Sequence, residues 1–183
     1  EALRKFYERD GYKLLQSTVT FENLKLLASF WNDVSNQNKE RFSDKVLRRL
    51  FVLNYAPNSM WTYFTSVYFM HYKDEDGSLD DDKFYTFLCK TTAFVWAYAL
   101  TNPGLNSLRT PIFAEMVNII KGKDVAFADY KFDIQQFKNI FHSPRPSKYF
   151  LTSLFCFFQI ALFFRGDNTF FTFIVTGFIK YTP

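Results

Sequence analysis

The stretch that decides the fold is DDDKFYTFLCKTTAFVWAYALTNPGLNSLRTPIFAEMVNIIK, residues 80–121. Between residues 83 and 100 its apolar side chains recur at intervals of three and four, the period of one face of an α-helix. The side chains on that face belong to Phe84, Phe87, Leu88, Thr91, Phe94, Val95, Tyr98 and Ala99. The pattern predicts one long core helix around which the rest of the chain packs.

The ends of this helix are marked by residues that start and stop helices. The carboxylates of residues 80–82 complement the positive end of a helix dipole, and the Asn-Pro-Gly run at 102–104 favours a stop. Thr110 suits an N-cap, and Pro111 suits a first turn because it has no N–H to leave unpaired. We therefore expect a second helix that starts at Pro111 and ends at Gly122.

The same helical period recurs in other parts of the chain. It predicts further helices over residues 1–10, 21–34, 44–54, 59–72, 134–142 and 148–164, with Thr20, Ser43, Asn58, Asp133 and Ser147 as N-caps. The inner face of residues 21–34 is predicted to consist of Phe21, Leu24, Leu27, Trp31 and Val34. A strand is the alternative for residues 59–72, because Tyr, Thr and Val are common there.

These elements predict an all-α fold, an irregular bundle of about seven helices. We place a helical domain at residues 1–149 and an apolar, aromatic C-terminal segment at 150–183, packed on that domain or on a missing partner. Residues 169–179 favour a short strand-like or helical appendage. Because Glu1 falls inside an apparent helix, we interpret the chain as a fragment of a larger protein.

The composition favours helices and provides few residues that could bind a metal or catalyse a reaction. Six Gly and six Pro are few turn residues for an all-β domain of 183 residues. Cys89 and Cys156 lie in apolar runs, as thiols do when they act as small core residues. Together with His71 and His142 they lack the short paired spacings of metal ligands. We predict no metal, no cofactor and a reducing, cytoplasmic location.

A catalytic residue is hard to find in this sequence. It contains no glycine-rich phosphate loop and no recognisable nucleophile motif. The enzymatic alternative is a site around His71 and the acidic loop at 74–82, where a histidine near carboxylates could transfer protons. The other interpretation is a solvated histidine at a helix end, and we predict no catalytic residue in this chain.

A cluster of basic residues is the candidate binding site. The chain carries a formal charge of +4, and cations at helical spacing can neutralise phosphates. Arg41, Lys45, Arg48 and Arg49 fall on one side of a predicted helix, opposite Val46, Leu47 and Leu50. We predict weak phosphate contacts to DNA at these four residues, against the alternative of an ordinary solvated face. A second candidate set is Arg109, Lys121, Lys123, Arg145 and Lys148.

The apolar run at 149–164 raises the alternative of a membrane-associated protein, in which residues 169–179 would also take part. A membrane span needs about 20 apolar residues. This run contains Gln159 and is followed by Arg165 and Asp167, so burial in protein is preferred. The three tryptophans, Trp31, Trp61 and Trp96, fall in apolar periodic segments and are predicted to pack in the core instead of stacking on bases.

One family resemblance rests on the order of three segments. LNYAPNSMWTYF at 53–64, the long apolar helix, and LTNPGLNSLRTPIFAEMV at 100–117 resemble the helical middle region of GmrSD-type restriction proteins, the domain-of-unknown-function 262 family. The similarity extends from about Glu1 to Tyr149. It implies a parent protein with an N-terminal ParB-like nucleotide-hydrolysing domain and often a C-terminal HNH nuclease, which restricts modified phage DNA.

The resemblance assigns this chain a supporting part in such a protein. Where the family pattern places a Glu-His pair before a proline, the chain has Lys180 and Tyr181 before Pro183. These side chains cannot replace a carboxylate and a metal-binding imidazole, so no HNH activity carries over. We expect a non-catalytic helical scaffold in phage defence that links ParB-like and HNH-type domains.

Overall fold

The computed structural model describes residues 4–5, 8–13, 15–56, 58–101 and 105–127. These residues contain one short 3-10 helix at Arg9–Tyr12 and five α-helices, and no strand is found among them. The α-helices are α1 Thr18–Ser35, α2 Asp44–Asn54, α3 Met60–Tyr72, α4 Asp81–Thr101 and α5 Leu105–Ile120. The all-helical prediction is confirmed for this part of the chain. The helices predicted at 134–142 and 148–164, and the segment 150–183, lie outside the described residues.

Helix α4 is the long core helix predicted from the sequence. All eight residues predicted for its inner face are buried: Phe84, Phe87, Leu88, Thr91, Phe94, Val95, Tyr98 and Ala99. The Asp80 carboxylate accepts a hydrogen bond from the Lys83 backbone N–H at 2.9 Å. Asp80 therefore caps the helix, as expected for an acidic residue at the positive end of the helix dipole.

The start of α5 differs from the prediction. The helix begins at Leu105, so Pro111 lies inside it, and Thr110 is not an N-cap. A proline in a helix interior removes one backbone hydrogen bond and costs about 3 kcal/mol. Packing offsets that cost, because Leu108 and Ile112 on either side of Pro111 are fully buried. The predicted helix start at Thr110–Pro111 was based on local residue preferences. Tertiary packing contacts outweigh those preferences.

The end of α5 agrees with the prediction. Gly122 adopts a φ of +68°, which favours glycine. Its N–H donates to the Ile119 carbonyl at 2.8 Å, and the Lys123 N–H donates to the Asn118 carbonyl at 2.9 Å. This pair of bonds is the Schellman arrangement that satisfies carbonyls at a helix C-terminus.

Helix α1 is longer than predicted, and its inner face is different. It begins at Thr18, after Ser17, so Thr20 lies inside it. Phe21 and Leu24 are exposed, in contrast to the predicted inner face, while Phe30 is buried. The buried residues of α1, Phe30 and Val34, lie towards its C-terminal end, whereas the residues of its first two turns are exposed or half-buried.

The described helices pack in pairs around an aromatic core. Helix α3 contacts both α1 and α5, and α2 lies along α4. Aromatic rings of α3 and α4 join these groups: the rings of Tyr68 and Phe87 stack at 4.0 Å, and those of Phe64 and Phe87 lie 4.9 Å apart. Residues 60–72 form the helix α3, so the strand alternative for residues 59–72 is wrong.

The three tryptophans lie in or beside this core. Trp61 and Trp96 are buried, and the Trp31 indole N–H donates to Ser66 Oγ at 3.0 Å. Core packing was the prediction for all of them. Among the described residues, no helix combines the length and the apolar character needed to cross a membrane. The candidate membrane segments 149–164 and 169–179 lie outside those residues.

Candidate functional site

The N-terminal ends of α2 and α4 are joined by polar contacts that we call the polar seam: Arg41, Ser43, Lys45 and Arg49 on one side, and Gly77, Asp81, Asp82 and Tyr85 on the other. Its centre is Ser43, the N-cap of α2, whose Oγ accepts a hydrogen bond from the Val46 N–H at 3.5 Å. The same hydroxyl donates to Asp81 Oδ2 at 2.8 Å, and the Ser43 backbone N–H donates to Asp81 Oδ1 at 3.2 Å. One residue thus caps its own helix and binds the first turn of another.

Lys45 adds positive charge to the seam. Its ammonium lies 3.3 Å from Asp81 Oδ2 and also pairs with Asp82. The hydrogen bond to Asp82 and the neighbouring carboxylates raise the pKa of Lys45. Burial favours the neutral form of Asp81, but hydrogen bonds from Ser43 and Lys45 outweigh burial and lower the pKa of that carboxyl group. Both groups are therefore held in their charged forms at neutral pH.

Arg49 is buried, with only 1% of its surface exposed. One guanidinium nitrogen donates to the Tyr85 hydroxyl at 3.3 Å, and the guanidinium carbon lies 5.6 Å from the centre of the Tyr85 ring. Burial is the main reason that the pKa of Tyr85 is raised. Arg49 therefore does not lie on a solvated face, which was the alternative to DNA contact, because α4 covers the side of α2 on which it lies.

Arg41 contacts the acidic loop between α3 and α4. Its guanidinium donates a hydrogen bond to the Gly77 carbonyl, and its Nε lies 4.0 Å from Asp33 Oδ2 at the end of α1. Gly77 has a φ of +79° and is buried beneath this contact. Arg41 therefore connects α1 to the loop that precedes α4.

The four residues predicted to bind DNA do not form one free basic surface. Arg41, Lys45 and Arg49 make internal contacts in the polar seam, and Arg48 is exposed to solvent. The seam also contains the carboxylates of Asp81 and Asp82, which repel phosphate. In the second set, Arg109, Lys121 and Lys123 are exposed, and Arg145 and Lys148 lie outside the described residues.

The alternative site around His71 consists of exposed groups. His71 lies in the last turn of α3, and its ring packs edge-on against Tyr72 at 4.7 Å. In the loop, the Asp76 carboxylate accepts hydrogen bonds from the Ser78 N–H at 2.9 Å and the Ser78 hydroxyl at 2.6 Å. These bonds lower the pKa of Asp76. The carboxylate thus stabilises a turn at this point.

A metal site is not formed by the part of the chain that the structure describes, since no three of its His, Cys, Asp or Glu side chains are grouped suitably for an ion. The thiol of Cys89 is half-buried. Cys156 and His142 lie outside the described residues.

Glu115 is a buried polar residue that the sequence did not single out. Only 7% of its surface is exposed. Its Oε1 accepts a hydrogen bond from the Phe127 N–H at 2.7 Å, and its Oε2 accepts one from the Ala126 N–H at 3.4 Å. Glu115 therefore binds the chain that returns along α5. In the sequence, the only indication of this role is that Glu115 is a lone acidic residue in an apolar helix.

No family model matches the chain, and neither a curated protein nor a solved structure matches it. The resemblance to GmrSD-type proteins therefore stays a prediction that rests on the segments at 53–64 and 100–117.

Proposed function

We propose that this chain is a non-catalytic helical scaffold, an interaction domain of a GmrSD-like restriction protein that acts in the cytoplasm. The observation that carries the proposal is the polar seam. Its charged side chains pair with one another across helices, and Asp81 is shared by Ser43 and Lys45. A catalytic centre would instead direct such groups into a cleft where they could reach a substrate.

The rigidity of this arrangement suits a scaffold. Hydrogen bonds of Ser43 with Asp81 join the starts of α2 and α4, in addition to apolar packing. Arg41 donates a hydrogen bond to Gly77 in the loop before α4 and forms an ion pair with Asp33 of α1. Polar contacts of this kind favour one relative orientation of helices over alternatives of similar apolar burial. A domain that holds ParB-like and HNH-type partners at a defined separation requires such an orientation.

DNA contact is the second part of the proposal, and Arg48 carries it. Because the other three predicted cations make internal contacts, we propose a weak, sequence-independent contact that depends on Arg48 and on basic residues elsewhere on the surface. The contact is electrostatic and weakens as salt concentration rises, since each neutralised phosphate releases counterions.

The DNA contact is tested by fluorescence anisotropy with a labelled duplex at low and physiological salt. We expect Arg48→Glu to weaken binding more than Lys25→Glu, a matched charge reversal on the exposed side of α1. Equal effects of the two variants would show that only net charge matters, and no binding at low salt would remove DNA contact from the proposal.

The non-catalytic part is tested by assays of nucleotide hydrolysis and DNA cleavage. The scaffold proposal expects no turnover by the purified chain. Turnover that is abolished by His71→Ala would contradict it and support the enzymatic alternative. Turnover that persists in this variant would point to contamination or to a different site.

A further inference from the structure

An apolar stripe on α5 is exposed to solvent. Phe113, Val117 and Ile120 follow one another at spacings of four and three, so they lie on one face of the helix. Their surfaces are 62%, 37% and 64% exposed, respectively. The neighbouring side of α5 is the core face, where Leu108, Ile112 and Ile119 are fully buried. Helix α5 is therefore apolar on two faces, of which one is covered by described residues.

The charges at the ends of this stripe restrict what could cover it. Arg109 precedes Phe113 by one turn, Lys121 follows Ile120, and both are exposed. A second copy of the chain, packed through the same stripe, would bring these cations close together. The stripe also exposes only roughly 300 Å², whereas a stable dimer buries about 800 Å² on each partner. A neutral, apolar segment that is tethered to the bundle fits these limits better, because tethering reduces the entropy cost of binding.

The last described residues lie beside α5, so the segment that follows them in the chain starts near the stripe. The ring of Phe127 stacks on Phe94 at 4.0 Å, and the Phe127 N–H donates to Glu115 on α5 at 2.7 Å. Residues 128–183 follow. From this anchor, residues 128–147 can span about 65 Å when extended, far more than the width of a helix.

We propose that residues 148–164 of the same chain dock on the stripe formed by Phe113, Val117 and Ile120. This segment, KYFLTSLFCFFQIALFF, carries no charge after Lys148 and contains six phenylalanines, so water does not favour its exposure. Residues 169–179 are a poorer fit, because they are shorter and follow Arg165 and Asp167. The inference goes beyond the scaffold function, since it holds whether or not the chain binds other domains.

Limited proteolysis of the full chain tests the docking. Chymotrypsin cleaves after aromatic residues, and mass spectrometry locates the cleavage sites. We expect residues 148–164 to be cleaved slowly in the native protein. Ile120→Asp should accelerate cleavage there by about tenfold or more, because a segment that opens more often is cleaved more often. Tyr63→Asp, which changes an equally exposed apolar residue on α3, should not.

Two further measurements make the result decisive. Circular dichroism confirms that each variant keeps its helix content, and Ile120→Ala provides a milder change with a smaller expected acceleration. Sedimentation equilibrium reports the oligomeric state. Unchanged cleavage of residues 148–164 in both Ile120 variants would overturn the proposal. A native dimer that dissociates on Ile120→Asp would also overturn it, because the occupant would then be a second copy.

Discussion

Both halves of α4 bury apolar side chains, and the N-terminal half adds polar contacts to α2. In the N-terminal half, residues 81–90, charged and polar contacts join Asp81, Asp82 and Tyr85 to α2, while Lys83 and Thr86 remain exposed. In the C-terminal half, residues 91–99, every residue except Ala97 is buried. Apolar burial is worth about 25 cal/mol per Å², whereas an exposed ion pair contributes at most about 1 kcal/mol. Phe84, Phe87 and Leu88 also bury apolar surface in the N-terminal half. We therefore expect apolar burial to dominate the stability of both halves, most of all the C-terminal one, and the polar contacts of the N-terminal half to set orientation.

The largest effect is expected from Phe94→Ala in the C-terminal half. The substitution removes a buried ring that stacks on Phe127 at 4.0 Å, and large-to-small changes of this kind cost about 3–5 kcal/mol. Urea denaturation measures the loss. Tyr63→Ala, at an exposed position on α3, is the control and should cost far less. Similar losses for the two variants would contradict the contribution assigned to apolar burial in this half.

Glu115→Gln is expected to rank second. The amide can replace only one of the two oxygens that accept hydrogen bonds from Ala126 and Phe127, so one backbone N–H loses its charged acceptor. Such a loss costs about 1–3 kcal/mol. Hydrogen exchange at the Phe127 amide should accelerate together with the fall in unfolding free energy. Glu22→Gln, an exposed carboxylate on α1, should leave both quantities almost unchanged.

Asp81→Asn tests the N-terminal half and should cost about 1–2 kcal/mol at neutral pH, because Ser43 loses one charged acceptor. The effect depends on pH. The pKa of Asp81 is lowered in the folded protein, so its stabilisation is present above the unfolded-state pKa of about 3.9 and is lost as pH falls through the folded value. The difference between native protein and variant should shrink below about pH 4. A difference independent of pH would contradict the part assigned to the carboxylate.

Lys45→Ala is expected to have the smallest effect, weaker than that of Asp81→Asn, because its ion pairs with Asp81 and Asp82 are open to solvent. High salt should remove most of the stability difference between Lys45→Ala and the native protein. The pKa of Lys45 is raised, so its contribution is present below the unfolded value of about 10.4 and is lost as pH rises through the folded value. Unfolding at several salt concentrations checks the prediction, and a salt-independent loss equal to that of Asp81→Asn would contradict it.

Much of the local structure was predictable because its causes are local. Ser43 as a cap, Asp80 at the start of α4 and Gly122 at the end of α5 each follow from hydrogen bonds within a few residues. The inner face of α4 follows from the helical period. The candidate site was less predictable: the same period that placed Arg49 with Arg41 and Lys45 contained no information about α4, which buries Arg49.

The sequence by itself determined that the described chain is helical, where most of its helices begin and end, and which side of α4 is apolar. Only the tertiary structure decided that α5 continues through Pro111, that Phe21 is exposed, and that Ser43 meets Asp81 across 38 residues. The physical reason is the range of the interactions. Caps and helical periods act between near neighbours in the chain, whereas packing and ion pairing depend on which surfaces meet after folding.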